Sequence, residues 1–150
     1  MLVACIACQL FVVLFMALHD WIPLGVLNNL DGIRASDSKA RLLVVTAIST
    51  LPFAIALAGT VACALGVPAG WAKPWAVVSY ALVIVGVLRA WWIPYLFAPN
   101  PERAVRHAVR FAGTHAFLPP RNGIRPDTLH VVFHGVAVAT LVLACLAKFR

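Results

Sequence analysis

Long apolar runs separated by polar intervals dominate the chain, and the lengths of the runs decide which elements they can form. Four runs cover about residues 2–18, 42–65, 74–97 and 128–147, each nearly free of charge. Each is close to the ~20 residues that a helix needs to cross ~30 Å of hydrocarbon. The shorter, strictly alternating segments of a membrane barrel are absent. The pattern predicts an all-α integral membrane protein: a four-transmembrane-helix bundle forming one domain over residues 1–150. No Lys or Arg precedes Arg34 and no clear cleavage site follows the first run, so it reads as a retained helix rather than a signal peptide.

The intervals carry the punctuation. Pro23 stops or turns the first helix, and one of Ser36 to Ser38 is suited to cap the second. Pro52 falls inside that second helix and predicts a kink there. Gly66, Pro68 and Gly70 make a tight loop, and Pro74 suits a first helical turn. The third interval holds a short amphipathic helix of its own. Asn100 caps it, Pro101 and Glu102 open it, and Gly113 stops it. Val105, Ala108, Val109 and Ala112 share one face, and Arg103, Arg106, His107 and Arg110 another. Such a helix suits an anionic leaflet, and it equally suits a loop rich in positive charge on the inner side.

Composition strengthens the membrane reading. Of the 150 residues, 63% are hydrophobic and 11% charged. A soluble domain carries about 25% charged residues. The net charge of +7 is explained by topology. Arg34, Lys39, Arg41, Arg89, Arg103, Arg106, Arg110, Arg121 and Arg125 fall on the side of the first and third loops, against Lys73, Lys148 and Arg150 on the other. The positive-inside rule then makes those two loops cytoplasmic and both termini external, as in a multi-pass protein of a bacterial inner membrane. No nucleic-acid partner is called for. Trp71 and Trp75 at one boundary, and Trp21, Trp91 and Trp92 at the other, fit interfacial aromatic belts.

Candidate chemistry gathers on the cytoplasmic side. His130 and His134 are four apart on one helical face, and His19 with Asp20 ends the first helix at a similar depth. His19, His130, His134 and Asp20 form a ligand set for a metal ion, with Asp127 placed to orient His130, or His19 and His134 serve as axial ligands of a haem. The plainer alternative is that these histidines are interfacial or hydrogen-bond between helices. Arg89 either snorkels to the interface or points inward to clamp an anion, with Trp91, Trp92, Tyr95 and His115 as walls and Arg103, Arg106 and Arg110 adding charge. Cys5 and Cys8 form a Cys-x-x-Cys, with Cys63 and Cys145 in the same outer half. They are either apolar filler or an outer-face thiol redox cluster.

Nucleotide loops, zinc-protease motifs and serine triads are missing. In size the chain is similar to several small four-helix membrane families, among them quinone-linked thiol oxidases, but no residue motif of theirs is present. The functional expectation is a cytoplasmic-face polar site for a metal, an anionic lipid or a small molecule. The alternatives are a non-enzymatic scaffold or assembly subunit, as a homo-oligomer or within a larger membrane complex, and the thiol redox protein.

Overall fold

The computed structural model describes residues 1–149; Arg150, counted in the charge bias, lies outside them. Helices form where the apolar runs lie, and local capping sets their ends. They are α1 (Leu2–Leu18), α3 (Lys39–Ala64), α4 (Ala72–Val87) and α7 (Thr128–Leu146). Ser38 accepts from the Arg41 amide, so α3 starts three residues before the apolar run does. A π turn over Leu88–Trp92 continues α4 into α5 (Ile93–Leu96), giving a helical run Ala72–Leu96. The third loop carries α6 (Pro101–Arg110), capped by Asn100 through the Arg103 amide at 2.9 Å, as its sequence predicts. The first loop holds a further short helix, α2 (Leu30–Ser36), which the sequence reading passed over as turns.

Three helical runs among the described residues are long and apolar enough to cross a membrane: Lys39–Ala64, Ala72–Leu96 and Thr128–Leu146. The apolar α1 is shorter, at 17 residues. It packs against α3 and α7, and α4 packs against the same two helices, so α1 and α4 stand on a diagonal. Cys5, Val12, Phe15, Phe53, Ala56, Tyr80, Phe133 and Ala137 fill the space between them. The outer surface is as apolar as the core. Val3, Ile48, Leu82 and Leu146 are all at least 60% exposed, a distribution that water would penalise and hydrocarbon accepts.

Polar groups inside the core are few and mostly served by their own helix. Thr60 and Thr140 donate to the carbonyls four residues back at 2.8 and 2.7 Å. Gln9 is buried with neither amide atom bonded, and the buried Tyr80 hydroxyl is likewise unpaired.

The end bearing the short Gly66–Gly70 loop is tightly closed. Gly59 lets α3 meet the start of α4, since a Cβ there would stand 2.8 Å from Ala72 Cβ and the Trp71 ring. Lys73 Nζ donates to the Cys145 and Ala147 carbonyls at 2.8 and 3.0 Å, placing a cation on the negative end of α7. Trp75 Nε1 donates to the Pro52 carbonyl at 2.9 Å and ties the two helices at the proline.

Candidate functional site: an arginine-lined pocket beside buried histidines

The opposite end is built around a missing amide proton. Pro94 cannot donate to the Ala90 carbonyl, and the π turn moves the Ile93 amide onto the Leu88 carbonyl, so the carbonyls of Arg89 and Ala90 both lose their α-helical donor. Arg103 Nη1, from α6, donates to both, at 3.4 and 2.6 Å. The π turn at the same place re-aims the side chains that follow it. Trp91 turns inward, 8% exposed, and stacks on His130 with centroids 4.6 Å apart at 28°. Its ring also meets His107 edge-on at 4.5 Å and Phe111 at 5.0 Å.

Helix α6 docks by its basic stripe. Arg103, His107 and Arg110, at i, i+4 and i+7, are half-buried, while Val105 and Val109 are exposed. Helix α2 holds it from the other side. Gly32 sits against α6 so closely that a Cβ would stand 2.5 Å from the Val109 carbonyl oxygen, and Asn29 Nδ2 donates to the Ala112 carbonyl at 2.9 Å.

Arg110 joins the loops electrostatically. Its guanidinium bonds Asp37 at 2.6 Å and Asp20 at 3.0 Å, and Asp37 also holds Arg41 at 3.0 Å. Asp20 in turn lies 3.2 Å from His19 Nε2, while His19 Nδ1 reaches the Phe15 carbonyl at 2.8 Å. Both His19 nitrogens thus face acceptors, a geometry that suits the imidazolium. Burial opposes this more strongly than Asp20 supports it, and the His19 pKa lies below the ordinary histidine value. Burial, with the nearby charges of His130 and Arg103, also brings His107 down to about 4.

Asp127 caps α7 by accepting from the His130 amide at 3.0 Å, and its second oxygen meets His130 Nδ1 at 2.8 Å. Its burial works against the carboxylate, but the bonds and charge of His130 outweigh it and hold the pKa below the usual range. The sequence-based expectation that Asp127 orients His130 matches this geometry. Beyond His130, His134 is buried, and its Nδ1 has no partner.

These groups enclose a pocket of about 430 Å³ lined by Ser36, Asp37, Arg41, Ala90, Trp91, Arg103, Arg106, His107, Arg110, Phe111 and His130. Four guanidinium groups face one carboxylate in its wall. Arg103 bonds only carbonyls, and Arg106 meets no carboxylate among the described residues, so both keep their charge for something else. A smaller chamber of about 250 Å³ adjoins it, walled by Phe15, Met16, His19, Val83, Gly86, Val87, Ala90, Trp91, His130, Phe133 and His134.

The site residues read from sequence divide accordingly. Arg103, Arg106, Arg110, Trp91 and His130 line the pocket, and His19, His130 and His134 share the chamber. Asp20 stands behind, on Arg110. Arg89 is exposed and lies outside the pocket wall. Tyr95 is buried and donates to the Pro119 carbonyl at 3.0 Å, with Trp92 against it edge-on. His115 Nδ1 meets the Thr128 hydroxyl at 2.7 Å and anchors the loop to α7. Among the described residues no three His, Cys, Asp or Glu side chains are grouped to hold a metal ion. The ring nitrogens of His19 are already engaged, and those of His130 and His134 project from a separate helix. The four cysteines are free thiols: Cys5 and Cys63 buried, Cys8 half-buried and Cys145 exposed. Cys63 donates to the Ala69 carbonyl at 3.7 Å, in a cluster apart from Cys5.

Sequence reasoning missed Asp37, Arg41, Phe111 and the inward aim of His107. Two signals carried them: the Asp37–Arg41 pair at i, i+4 on a helix start, and the Arg103–His107–Arg110 stripe. No protein-family model, curated protein or solved structure matches the chain.

Proposed function

We propose that the chain is a membrane protein of four transmembrane helices whose arginine-lined pocket binds an anionic head group, a phosphate by preference, at the cytoplasmic interface. The 17 residues of α1 reach the lower limit of ~17–25 for a span, and α1 packs as a full partner of α3 and α7. The excess of basic residues on the first and third loops supports their cytoplasmic placement. The observation that carries the reading is the pocket itself, with four arginines from two helices, one carboxylate and an aromatic wall. Arginine suits this task because its planar fork bonds phosphate oxygens in pairs. The metal reading is weaker, since His19 has no ring nitrogen to spare.

Native mass spectrometry from mild detergent tests the proposal. An anionic phospholipid is expected to remain bound at one per chain, and to be lost from the double variant Arg41→Gln, Arg106→Gln. Both side chains are exposed, so the fold is expected to survive. Equal retention of neutral and anionic lipid by the parent and the variant would remove the head-group reading.

A further inference from the structure

The arginine pocket does not end at its own wall. Ala90, Trp91 and His130 line both the pocket and the histidine chamber, so the two cavities meet across them. Met16 and Val83 line both the chamber and a third cavity, an apolar groove of about 520 Å³ between α3 and α4. That groove is walled by Phe53, Pro52, Trp75 and Leu82, with Ser49 and Ser79 as its only hydroxyls. The three spaces follow one another as a track, each sharing wall residues with the next. It begins among guanidinium groups, passes His134, and ends in hydrocarbon surroundings. From Trp91 to Trp75 it follows 16 residues of helix, about 24 Å at ~1.5 Å per residue.

The track lies where α3 and α4 are held less closely than at their other end. Gly59 closes them against Trp71 and Ala72, and the indole of Trp75 ties them at Pro52. Beyond that tie Phe53 meets Tyr80 with ring centroids 5.1 Å apart and no hydrogen bond joins the two helices among the described residues, and α1, being diagonal to α4, leaves the chamber open. Gly86 borders the chamber, and a Cβ built on it meets nothing within 4 Å.

Resting on the anion reading above, we infer that the ligand is a single-chain phosphate lipid: its phosphate among Arg41, Arg103 and Arg106, its chain running through the chamber into the α3–α4 groove. The chemistry of each stretch selects a part of that molecule. Charge complementarity places the phosphate. His134 lines the chamber, is 5% exposed and has an unpartnered Nδ1, so it calls for a hydrogen-bonding oxygen between head and chain, as an ester or hydroxyl linker supplies. The groove offers little beyond apolar surface, which suits a chain and nothing more polar. A free phosphate would use only the first of the three.

The test is a titration of the purified full chain in detergent with long-chain lysophosphatidate, glycerol phosphate and hexadecyl phosphate, followed by native mass spectrometry. Lysophosphatidate is expected to bind at least tenfold more tightly than glycerol phosphate, and severalfold more tightly than hexadecyl phosphate, which lacks the linker oxygens. Gly86→Leu puts a bulky side chain at the chamber from a position whose Cβ meets nothing, and it removes a helix-interior glycine, so it is expected to fold at least as well. It is expected to lower lysophosphatidate affinity tenfold or more and to leave glycerol phosphate unchanged. Lysophosphatidate binding that is indifferent to Gly86→Leu overturns the track while the head-group site stands. Failure of the parent to bind any of the three phosphate compounds overturns both. A photoreactive group at the chain terminus supplies a second measurement on the unaltered protein. Labelling confined to the Ile48–Phe53 and Trp75–Val83 stretches supports the track, and labelling spread over the outer apolar faces overturns it.

Discussion

The two ends of the helix bundle solve the same problem with the same device and differ in what is left over. At the Lys73 end, one cation covers the terminal carbonyls of α7, a short loop joins α3 to α4, and glycine brings the helices into contact. At the Arg103 end, one cation covers the carbonyls freed by Pro94 and the π turn, but the two long loops and the start of α3 bring in Asp20, Asp37, Arg41, Arg106 and Arg110 as well. Closure at the first end is complete once Lys73 is in place. At the second, guanidinium groups exceed the carboxylates that face them, and the surplus looks into a cavity. An end built only to be sealed has no use for such a surplus, which is the reason for placing function there.

The sharpest way to break this contrast is Arg110→Met. It leaves Asp20 and Asp37 facing each other without their shared partner. Removing one member of a buried ion pair costs about 3–5 kcal/mol, and the partial exposure here reduces that to about 2–3 kcal/mol. Thermal unfolding in detergent and limited proteolysis are expected to show a large loss, with first cuts in the two long loops. A loss of the same size from Lys73→Met would mean that the ends are equivalent.

Gly32→Val and Gly59→Val form the next comparison. Each puts a Cβ into a contact under 3 Å, and each is expected to cost about 1–3 kcal/mol through overpacking. Only Gly32→Val, which separates α2 from α6, is expected to weaken phosphate-lipid binding, by tenfold or more. Loss of binding in both variants would move the determinants away from the arginine end.

Acidity discriminates more gently. The folded pKa of His107, about 4, lies below the ordinary ~6.5 of an unfolded histidine, so between those values the unfolded chain binds more protons. This contribution to stability is present above pH ~6.5 and lost as pH falls toward 4; the lowered His19 acts with the same sign. His107→Phe is expected to flatten the decline in denaturation profiles across that window. An unchanged slope would show that His107 is not sheltered. Lys73→Met is the smallest effect, about 1 kcal/mol for a charge on a helix terminus, with lipid binding intact.

Much of the architecture was legible because it depends on local chemistry. Apolar run length and the Asn100 cap each act within a few residues and lie where the sequence puts them, while α6 ends at Arg110, three residues before the expected stop at Gly113. The grouping of side chains at the arginine end was legible only in part. Arg89 and Arg103 look alike on paper. What separates them is the π turn, which leaves Arg89 outside while its carbonyl draws Arg103 in, and π geometry depends on packing that no single-residue preference encodes. Asp37 and Arg110 are 73 residues apart, and nothing local announces their pairing. The reading of α2 as loop failed for a related reason: seven residues with a glycine among them are poor helix formers alone, and their docking on α6 stabilises them.

Pro94, near the end of the Ala72–Leu96 run, has a consequence for how the chain enters a bilayer. A carbonyl without a donor costs several kcal/mol in hydrocarbon. When this segment leaves the translocation machinery, the Arg89 and Ala90 carbonyls have no partner in their own helix. Their donor, Arg103, is synthesised later and belongs to α6. The Arg89 end of the segment therefore cannot settle until α6 has formed and folded back. Span and loop helix are in this sense one unit of insertion, and chains truncated between Phe97 and Pro101 should stall with that end still in contact with water or the insertion apparatus.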